Sequence, residues 1–536
     1  TLSLVTNQND IIIGIPFSNR HYPVTESLIG NFVNVLPLRF KIHPEKTVED
    51  NLESLTEAMI ETSKNQDVPF ERIVKMKELS QQSTKKGNPI FQATISSQNF
   101  GQHELMNNNF FNSIKMNINY PMTNFYLSMF LEENQIIFSY SDEVLDESFV
   151  KLFATKFFEV LRQTLMFNRR NADIIFDNQS LLNKNELINT KNVPKEIYKS
   201  TIPQEYEAHE SPSSVLGDPK SSINHISYKE NIEKIVKQVL STILDIEEDK
   251  VSIKDNFFSL GGDSIKAIKM ASLLKKKGLK ISTRKIVESQ TIESLIEIIQ
   301  MDSNSYSIDT SVSNGKVTPL PIQKWFFNKN HHNPNYFNQS YILEANKSYS
   351  NKLVNDVFRE LIKYHDGLRI IMDYENKSTE QLSFSTFIES KFFLQTKKIN
   401  KKVLYENDIA EICNKLQKDI NIENKYSIIV NQLVCKEKTY FIIVVHHLVI
   451  DEVSWSILIE DFFDLLELPT SKWSLPEKTS SINTWAKEIE KASKIGEYDN
   501  EVTYWNNITI DKYEFLELKK TSKDNYYCNS DSITFS

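Results

Sequence analysis

The chain has 536 residues, of which 40% are hydrophobic and 25% charged, and its net charge is −9. This length predicts about three or four domains, and the composition is typical of a globular protein rather than a disordered one. No run of about 18 apolar residues predicts a membrane span, and no basic stripe with interleaved aromatic residues predicts nucleic-acid binding. The isolated Cys413, Cys435 and Cys528 predict neither a zinc site nor a disulfide framework, and they favour a reducing cytoplasm. The N-terminus lacks a secretory signal and an initiator Met, so we expect the chain to start inside a longer protein.

Two polar stretches divide the chain. Residues 190–227 carry four prolines among Ser, Lys and Glu, and residues 301–314 are rich in serine, so both are predicted to be linkers. They leave an amino-terminal block (1–189), a central block (228–300) and a carboxy-terminal block (315–536).

The two outer blocks mix strand and helix patterns. Residues 11–13 and 440–445 are apolar runs of buried-strand length, and residues 48–64, 149–165 and 455–466 have the periodicity of amphipathic helices. This mixture predicts a layered α/β fold for both outer blocks.

The central block has a helical pattern throughout. Apolar residues recur at helical spacing over 232–243, a loop follows at 255–263, and a second helix is predicted to start at Ser264 and to end before Gly278. With a last helix near 292–296, the block is predicted to be an all-α bundle of four helices.

Ser264 is the most specific position of the central block. It follows Gly261 and Gly262, which permit a tight turn, and a serine at a helix N-terminus presents its hydroxyl where the helix dipole favours a phosphate. Taken alone, the motif favours an ordinary helix-capping serine, which is a common feature.

The whole helical frame resembles the peptidyl carrier domain of nonribosomal peptide synthetases. The matching run is Asp255-Asn-Phe-Phe-Ser-Leu-Gly-Gly-Asp-Ser-Ile265. The resemblance implies that Ser264 carries covalent 4′-phosphopantetheine, whose thiol holds an aminoacyl or peptidyl thioester. Asp263 before the serine is similar to carriers that lie upstream of an epimerization domain.

The carboxy-terminal block contains the run His446-His447-Leu-Val-Ile-Asp451-Glu452-Val-Ser-Trp455, placed between a predicted strand and a predicted helix. A histidine at a strand end can face a cleft and exchange protons near neutral pH. Two buried structural histidines remain the alternative, and no third ligand at a suitable spacing predicts a metal site.

This run resembles the condensation/epimerization superfamily, whose lobes have the chloramphenicol acetyltransferase-like fold, and Val-Ser-Trp is similar to its epimerization branch. Further matches in the same block are the segments 318–327 and 365–369 and the Tyr504-Trp505 pair. The resemblance implies that His447 is an acid/base group at the Cα of the carrier-bound residue and that His446 is more structural. It also implies that Asp451 is an ion-pair partner, for which we expect Arg369. Glu452 departs from the family pattern, which usually has glycine there.

The amino-terminal block resembles the second lobe of a condensation domain. The matching segments, in order, are residues 14–20, 28–39, 66–71 and 88–92. The first lobe of that domain is absent, as is the second lobe of the epimerization domain, which in the family carries a glutamate as a second acid/base group. We therefore expect each catalytic domain to be only half present.

The sequence thus predicts a piece of a nonribosomal peptide synthetase that carries a thioester on Ser264 for L-to-D epimerisation and peptide-bond formation. Its expected partners are a phosphopantetheinyl transferase with coenzyme A, an adenylation domain in cis or in trans, and a downstream condensation domain. Two alternatives remain open. The chain could be a non-catalytic carrier scaffold that separate enzymes load and serve in trans, or an acyltransferase that uses His447 on a soluble thioester.

Overall fold

The computed structural model describes most of the three blocks. The described residues are 1–76, 88, 90–97, 111–113, 126–132, 135–142, 144–167, 222–262, 264–279, 281–289, 291–301, 314–329, 331, 333–345, 347–389, 394–423, 426–475, 478, 480–508 and 530–535. Most of the predicted linker 190–227, the predicted linker residues 302–313, and Asp263 and Cys528 lie outside them. In the described part of the chain, every helix is too short or too polar to cross a membrane.

The described α-helices are α1 (Leu2–Thr6), α2 (Val48–Lys64), α3 (Phe70–Met76), α4 (Glu147–Phe167), α5 (Ser222–Leu244), α6 (Ser264–Lys276), α7 (Thr283–Glu288), α8 (Ile292–Met301), α9 (Pro321–Phe327), α10 (Asn351–Tyr364), α11 (Phe384–Glu389), α12 (Glu406–Asp419), α13 (Glu452–Glu467), α14 (Ile482–Lys494) and α15 (Asp499–Ile508). The strands are β1 (Asp10–Phe17), β2 (Asn34–Lys41), β3 (Ala93–Ser97), β4 (Phe111–Ser113), β5 (Leu127–Glu132), β6 (Gln135–Ser141), β7 (Gly315–Val317), β8 (Asn338–Ala345), β9 (Ile370–Asp373), β10 (Ser378–Gln381), β11 (Leu394–Lys398), β12 (Ile428–Val434), β13 (Thr439–His446) and β14 (Ser530–Phe535).

The amino-terminal block is built on a mixed sheet of six strands in the order β14-β6-β5-β3-β1-β2. Strand β1 pairs antiparallel with β2 and parallel with β3, and it contains the predicted strand 11–13. Helix α2 has the predicted bounds 48–64 because Thr47 caps it and Asp50 closes a capping box with Thr47.

The carboxy-terminal block is built on a second mixed sheet, of five strands in the order β11-β12-β13-β8-β4, with a small three-stranded sheet β7-β10-β9 beside it. Every residue of β13 is buried, which agrees with the apolar run that predicted this strand. The α/β class predicted for both outer blocks is therefore confirmed.

The two outer blocks exchange strands. Strand β14 comes from the carboxy-terminal block but pairs with β6 along six residues, from Ser530 opposite Ser141 to Phe535 opposite Ile136. In the opposite direction, β4 of the amino-terminal block adds to the edge of β8. The two half-domains expected from the sequence thus pack against each other in one chain.

The outer blocks also share hydrophobic cores. Leu28, Ile29 and Phe32 of the amino-terminal block belong to the main core of the carboxy-terminal block. In return, Trp505 on α15 is fully buried in a core of the amino-terminal block and donates its indole N–H to the carbonyl of Asn65 at 2.9 Å. Burial of large apolar side chains on both sides makes this contact a core rather than a surface contact.

The described residues of the central block form the helices α5 to α8, packed around one core of their own. Three of them, α5, α6 and α8, cover the helices that the sequence placed, whereas α7 was not placed from the sequence. Helix α5 begins at Ser222, so its first turns occupy residues that the sequence assigned to a linker. Helices propagate easily from a formed turn, so polar residues such as these can extend one without apolar periodicity. Gly278 follows α6 with φ 84°, as expected for a glycine beyond a helix C-terminus.

Candidate active site

The segment from His446 to Asp451 lies at the boundary of the two outer blocks. Strand β13 ends at His446, a short 3-10 turn covers His447–Val449, and Asp451 caps α13 by accepting a hydrogen bond from the Ser454 N–H at 2.8 Å. The apolar strand and the capped helix hold the intervening turn on both sides, so its side chains have defined positions.

His446 is sealed inside the carboxy-terminal block. Its Nδ1 accepts from the Leu448 N–H at 3.3 Å, which leaves Nε2 as the protonated nitrogen that donates to the Pro334 carbonyl at 2.9 Å. Burial lowers the pKa of His446 to about 3, with a smaller contribution from the charge of His447. Both ring nitrogens are therefore occupied, as suits a structural residue.

His447 is differently placed. Its Nδ1 lies 2.9 Å from the Ile450 carbonyl, which can only accept, so Nδ1 carries the proton and Nε2 keeps a free lone pair. The ring packs on Phe337 at a centroid distance of 5.1 Å, and burial lowers the pKa of the imidazole. A neutral imidazole with a fixed tautomer is the form that accepts a proton near neutral pH.

Asp451 forms an ion pair across the block boundary. Arg20 Nη2 lies 2.9 Å from Asp451 Oδ1, both side chains are fully buried, and the Phe32 N–H donates to Oδ2 at 3.1 Å. The expectation that Arg369 pairs with Asp451 is wrong. Arg369 donates to the backbone carbonyls of Leu382 and Lys363 at 3.0 Å each, and to that of Ile362, within its own block.

Arg20 does more than neutralise Asp451. Its guanidinium also donates to the carbonyls of Thr25 at 2.7 Å and Leu28 at 2.6 Å, and to Ser454 Oγ at 2.7 Å. Ser454 in turn donates to the Gly30 carbonyl at 2.8 Å. The guanidinium therefore shapes the loop of the amino-terminal block against the start of α13.

A further contact reaches the histidine turn itself. The Asn31 side chain donates to the His447 carbonyl at 2.7 Å. Neither Arg20 nor Asn31 was predicted as a site residue, although both lie in segments that matched a condensation domain. The matched segments were the sequence signal that could have indicated Arg20 and Asn31. A match to one lobe, however, does not show which residues of another block those side chains contact.

The loop before Ser264 has the shape that the glycines predicted. Gly261 has φ 90°, and a Cβ on Gly262 would lie 2.5 Å from the Phe257 ring, so neither position accepts another residue without strain. Phe257 is buried in the core of the central block, and α6 begins at Ser264. The loop is thus anchored so that Ser264 starts the helix.

The central block contacts the amino-terminal block through α7, which lies beside α2. The Thr283 hydroxyl donates to Glu26 Oε1 at 3.1 Å. Burial raises the pKa of Glu26 to about 7, while the hydrogen bonds from Thr283 and the charge of Lys275 act in the opposite direction.

No group of three His, Cys, Asp or Glu side chains that could hold a metal ion occurs among the residues that the structure describes. The two described cysteines, Cys413 and Cys435, are free and buried.

Comparison with protein families assigns the two outer blocks to a known family. The model of the condensation domain matches residues 1–168 and 313–536, which is most of the chain and covers both outer blocks. The chain belongs to the condensation-domain family. Its paired outer blocks, called the condensation-type domain below, therefore have condensation-domain-like α/β folds with mixed sheets.

A second family, described as the phosphopantetheine attachment site, matches residues 234–299. The central block is called the carrier domain from here on, and its cofactor is 4′-phosphopantetheine, as predicted. The two matches together, a condensation-type domain and a carrier domain in one chain, bear out the predicted nonribosomal peptide synthetase fragment.

Curated relatives agree with this assignment. Surfactin synthase subunit 2 of Bacillus subtilis (strain 168) is 32% identical over 286 residues, which are 53% of this chain and 8% of that protein. Gramicidin S synthase 1 of Brevibacillus brevis is 31% identical over 291 residues, 53% of this chain and 26% of that protein. The chain thus spans a small part of the length of these relatives. Among solved structures, the epimerization domain from the third module of tyrocidine synthetase B is 28% identical with a TM-score of 0.35, covering 37% of this chain and 46% of that chain.

Proposed function

We propose that this chain carries an aminoacyl or peptidyl thioester on phosphopantetheine at Ser264 and that the site at His447 interconverts the L and D forms of the carried residue. A downstream condensation domain then uses the product in peptide-bond formation. The observation that carries the proposal is the neutral His447 imidazole with a free Nε2, held at a boundary that the buried Arg20–Asp451 pair closes.

Ser264 suits the cofactor because α6 begins there, after a loop that Gly261 and Gly262 allow to turn tightly. An N-terminal helix turn offers free backbone N–H groups near an incoming phosphate. When bound, phosphopantetheine supplies a long flexible arm and a thiol, and the resulting thioester acidifies the Cα–H bond of the carried residue.

His447 would take the Cα proton onto Nε2. Its Nδ1–H stays bonded to the Ile450 carbonyl, so this bond orients the ring and stabilises the imidazolium that forms. Asp451 lies near enough to favour that positive charge, although its main partner is Arg20. We therefore assign His447 the proton transfer, Asp451 the closure of the two blocks and His446 a structural role.

At the domain level, we propose that each outer block has the chloramphenicol acetyltransferase-like fold. The blocks 1–189 and 315–536 then form two lobes of one domain, with the carrier domain (228–300, extended back to Ser222) between them in the chain. The strand exchange of β14 and β4 supports this pairing. A phosphopantetheinyl transferase with coenzyme A would prime Ser264, and an adenylation domain, in cis or in trans, would load it.

Attachment is tested by intact-mass measurement after incubation with a phosphopantetheinyl transferase and coenzyme A. We expect one phosphopantetheine per chain, and none in Ser264→Ala. Ser259→Ala, which changes an exposed serine of the same loop, is the matched control and should be modified normally. A mass gain that survives Ser264→Ala would refute the assignment.

Epimerisation is tested by chiral analysis of the residue released from a chain loaded with an L-aminoacyl group. We expect both epimers from the unmodified chain and a loss of about 10²–10⁴-fold in the inversion rate in His447→Gln, because a positioned general base contributes that much. His446→Gln should lose stability rather than proton transfer. Loading without any inversion would instead favour the non-catalytic carrier scaffold that is served in trans.

A further inference from the structure

Phe337 lies directly against the histidine that the proposed function uses. The rings of Phe337 and His447 pack at a centroid distance of 5.1 Å and an angle of 41°. In addition, the Phe337 carbonyl accepts a hydrogen bond from the His447 N–H at 2.7 Å. Phe337 is therefore held beside the imidazole by the main chain as well as by the packing of its ring.

Part of the Phe337 ring is covered and part of it is open. Phe326 and His446 pack on it at centroid distances of 5.3 and 6.0 Å, and both of these residues are almost fully buried. Phe337 itself is only half-buried. The open part of the ring therefore lies on the side turned away from Phe326 and His446, and it remains adjacent to the imidazole of His447.

Strand β8 continues the surface on which Phe337 lies. Side chains alternate between the two faces of a strand, so Gln339 and Tyr341 share the face of Phe337. Further along this face, Leu343 belongs to the main hydrophobic core, whereas Gln339 and Tyr341 are only half-buried. The face is therefore core at one end and partly open at the end that reaches His447.

Trp455 of α13 holds the side chains of Gln339 and Tyr341 in place. Its indole N–H donates to Gln339 Oε1 at 2.8 Å, and its ring stacks on that of Tyr341 at a centroid distance of 5.6 Å. The amide oxygen of Gln339 is thus already bonded, and aromatic rings lie on both sides of it. The partly open surface formed by Phe337, Gln339 and Tyr341 is called the β8 wall below.

A carried residue whose Cα reaches His447 Nε2 also comes into contact with Phe337. Proton transfer brings the reacting atoms to about 3–3.5 Å, and the substituents of Cα extend one bond further. Loss of the proton makes Cα planar, with the nitrogen, the thioester carbonyl and the side chain in one plane. Because the imidazole and phenyl centroids are only 5.1 Å apart, one of these substituents lies against the phenyl ring.

The polarity of the β8 wall decides which substituent that is. The nitrogen and the thioester carbonyl need hydrogen-bonding partners, so placing them against a phenyl ring costs free energy. An apolar side chain instead gains free energy when it leaves water for this surface. We propose that Phe337, with the rest of the β8 wall, forms the subsite for the side chain of the carried residue and selects a large apolar side chain. This inference rests on the proposed function, because it names the class of residue on which His447 acts.

The test uses the complete chain, primed at Ser264 by a phosphopantetheinyl transferase with aminoacyl-coenzyme A, so that no adenylation domain selects the residue. L-Leucyl, L-phenylalanyl and L-aspartyl groups are attached separately, and chiral analysis gives the single-turnover inversion rate of each. The variants are Phe337→Ala, which enlarges the subsite, and Phe337→Trp, which fills it. Phe384→Ala changes a half-buried phenylalanine of the same block that lies on Arg359 instead, and it serves as the control.

In the unmodified chain, we expect the leucyl group to invert roughly 100-fold faster than the aspartyl group, because a carboxylate loses its water against the β8 wall. Phe337→Ala should shift the ratio of the phenylalanyl to the leucyl rate about 10-fold toward phenylalanyl, since the space released by the ring becomes available to the larger side chain. Phe337→Trp should shift the same ratio toward leucyl. Phe384→Ala should leave it unchanged, because the ratio compares two groups on one variant and does not depend on the variant's stability.

Two results would overturn the inference while the proposed function stands. Equal inversion of the leucyl and aspartyl groups by the unmodified chain shows that no apolar subsite selects the side chain. A uniform fall of all rates in both Phe337 variants, with unchanged ratios, shows that Phe337 only positions His447. If the unmodified chain is loaded, as measured by its mass, but inverts none of the three groups, the proposed function fails and the inference fails with it.

Discussion

At the scale of single residues, the Arg20–Asp451 pair joins the two outer blocks most directly. Both side chains are fully buried, and the guanidinium also satisfies three backbone carbonyls of its own loop. Burial alone would lower the pKa of Arg20, and the charge and hydrogen bonds of Asp451 oppose that effect. The Arg20 guanidinium and the Asp451 carboxylate therefore stabilise each other's charge in the buried site.

Removing one partner should be costly. We expect Arg20→Met to lower the free energy of unfolding by about 3–5 kcal/mol, because it leaves the Asp451 carboxylate buried without a cation. Urea unfolding followed by fluorescence measures the change. Lys151→Gln breaks the exposed pair of Lys151 with Glu147 and should cost no more than about 0.5 kcal/mol. Equal decreases in the free energy of unfolding for Arg20→Met and Lys151→Gln would show that the buried pair is no more stabilising than the exposed one.

The same residues show what the sequence could and could not predict. The motif indicated His446, His447 and Asp451 as one cluster, because they are close in the chain and lie between a recognisable strand and helix. It did not indicate Arg20, which is 431 residues from Asp451. Periodicity reports which residues share a face of one element, and it carries no information about a side-chain partner from another block. Arg369 was the nearer arginine, but its donors are used by carbonyls of its own block.

At the scale of elements, the predicted helices and strands of the outer blocks were mostly right because their apolar periodicity is strong. The strand exchange was not predicted. Strand β4 has three residues and β14 has six, and neither carries a pattern that distinguishes pairing within its own block from pairing with the other. Their placement depends on which sheet edge is available, which is a tertiary property.

Contact between α7 of the carrier domain and the amino-terminal block should depend on pH. Because the pKa of Glu26 is raised to about 7 by burial in the contact, the docked state favours the protonated acid. Docking should be strongest below the ordinary pKa of a carboxyl group and should weaken as the pH rises through about 7. Glu26→Gln keeps an acceptor for Thr283 and should remove this dependence.

Energy transfer measures the docking, with a fluorescent phosphopantetheine on Ser264 and a second dye on Glu57→Cys of α2, in a chain whose three native cysteines are replaced by serine. Glu45→Gln alters an exposed carboxyl of the same block and should leave the pH profile unchanged. A profile that is the same with and without Glu26→Gln would rule out this carboxyl as the cause.

At the scale of the whole molecule, the carrier domain lies in the chain between the two outer blocks of the condensation-type domain rather than after them. The shared cores and the two-way strand exchange predict that the condensation-type domain does not depend on this connection. Cutting the chain at protease sites introduced after residues 195 and 308 should release the carrier domain, while the flanking pieces remain together in size-exclusion chromatography. Separate elution of the two pieces would show that the connection through the carrier domain holds them.

Strand β14 also affects how the protein is made. Its partner β6 is synthesised almost 400 residues earlier, since Phe535 pairs with Ile136. Until residues 530–535 leave the ribosome, the edge of β6 that they cover is open, with unpaired N–H and C=O groups, the kind of surface on which chains aggregate. Pairing over so long a separation in sequence is also slow to find. Strand β14 therefore covers a sheet edge of the amino-terminal block that is made much earlier, and a chain cut before residue 530 would keep Ser264 and the His446–Asp451 segment but leave this edge of β6 uncovered.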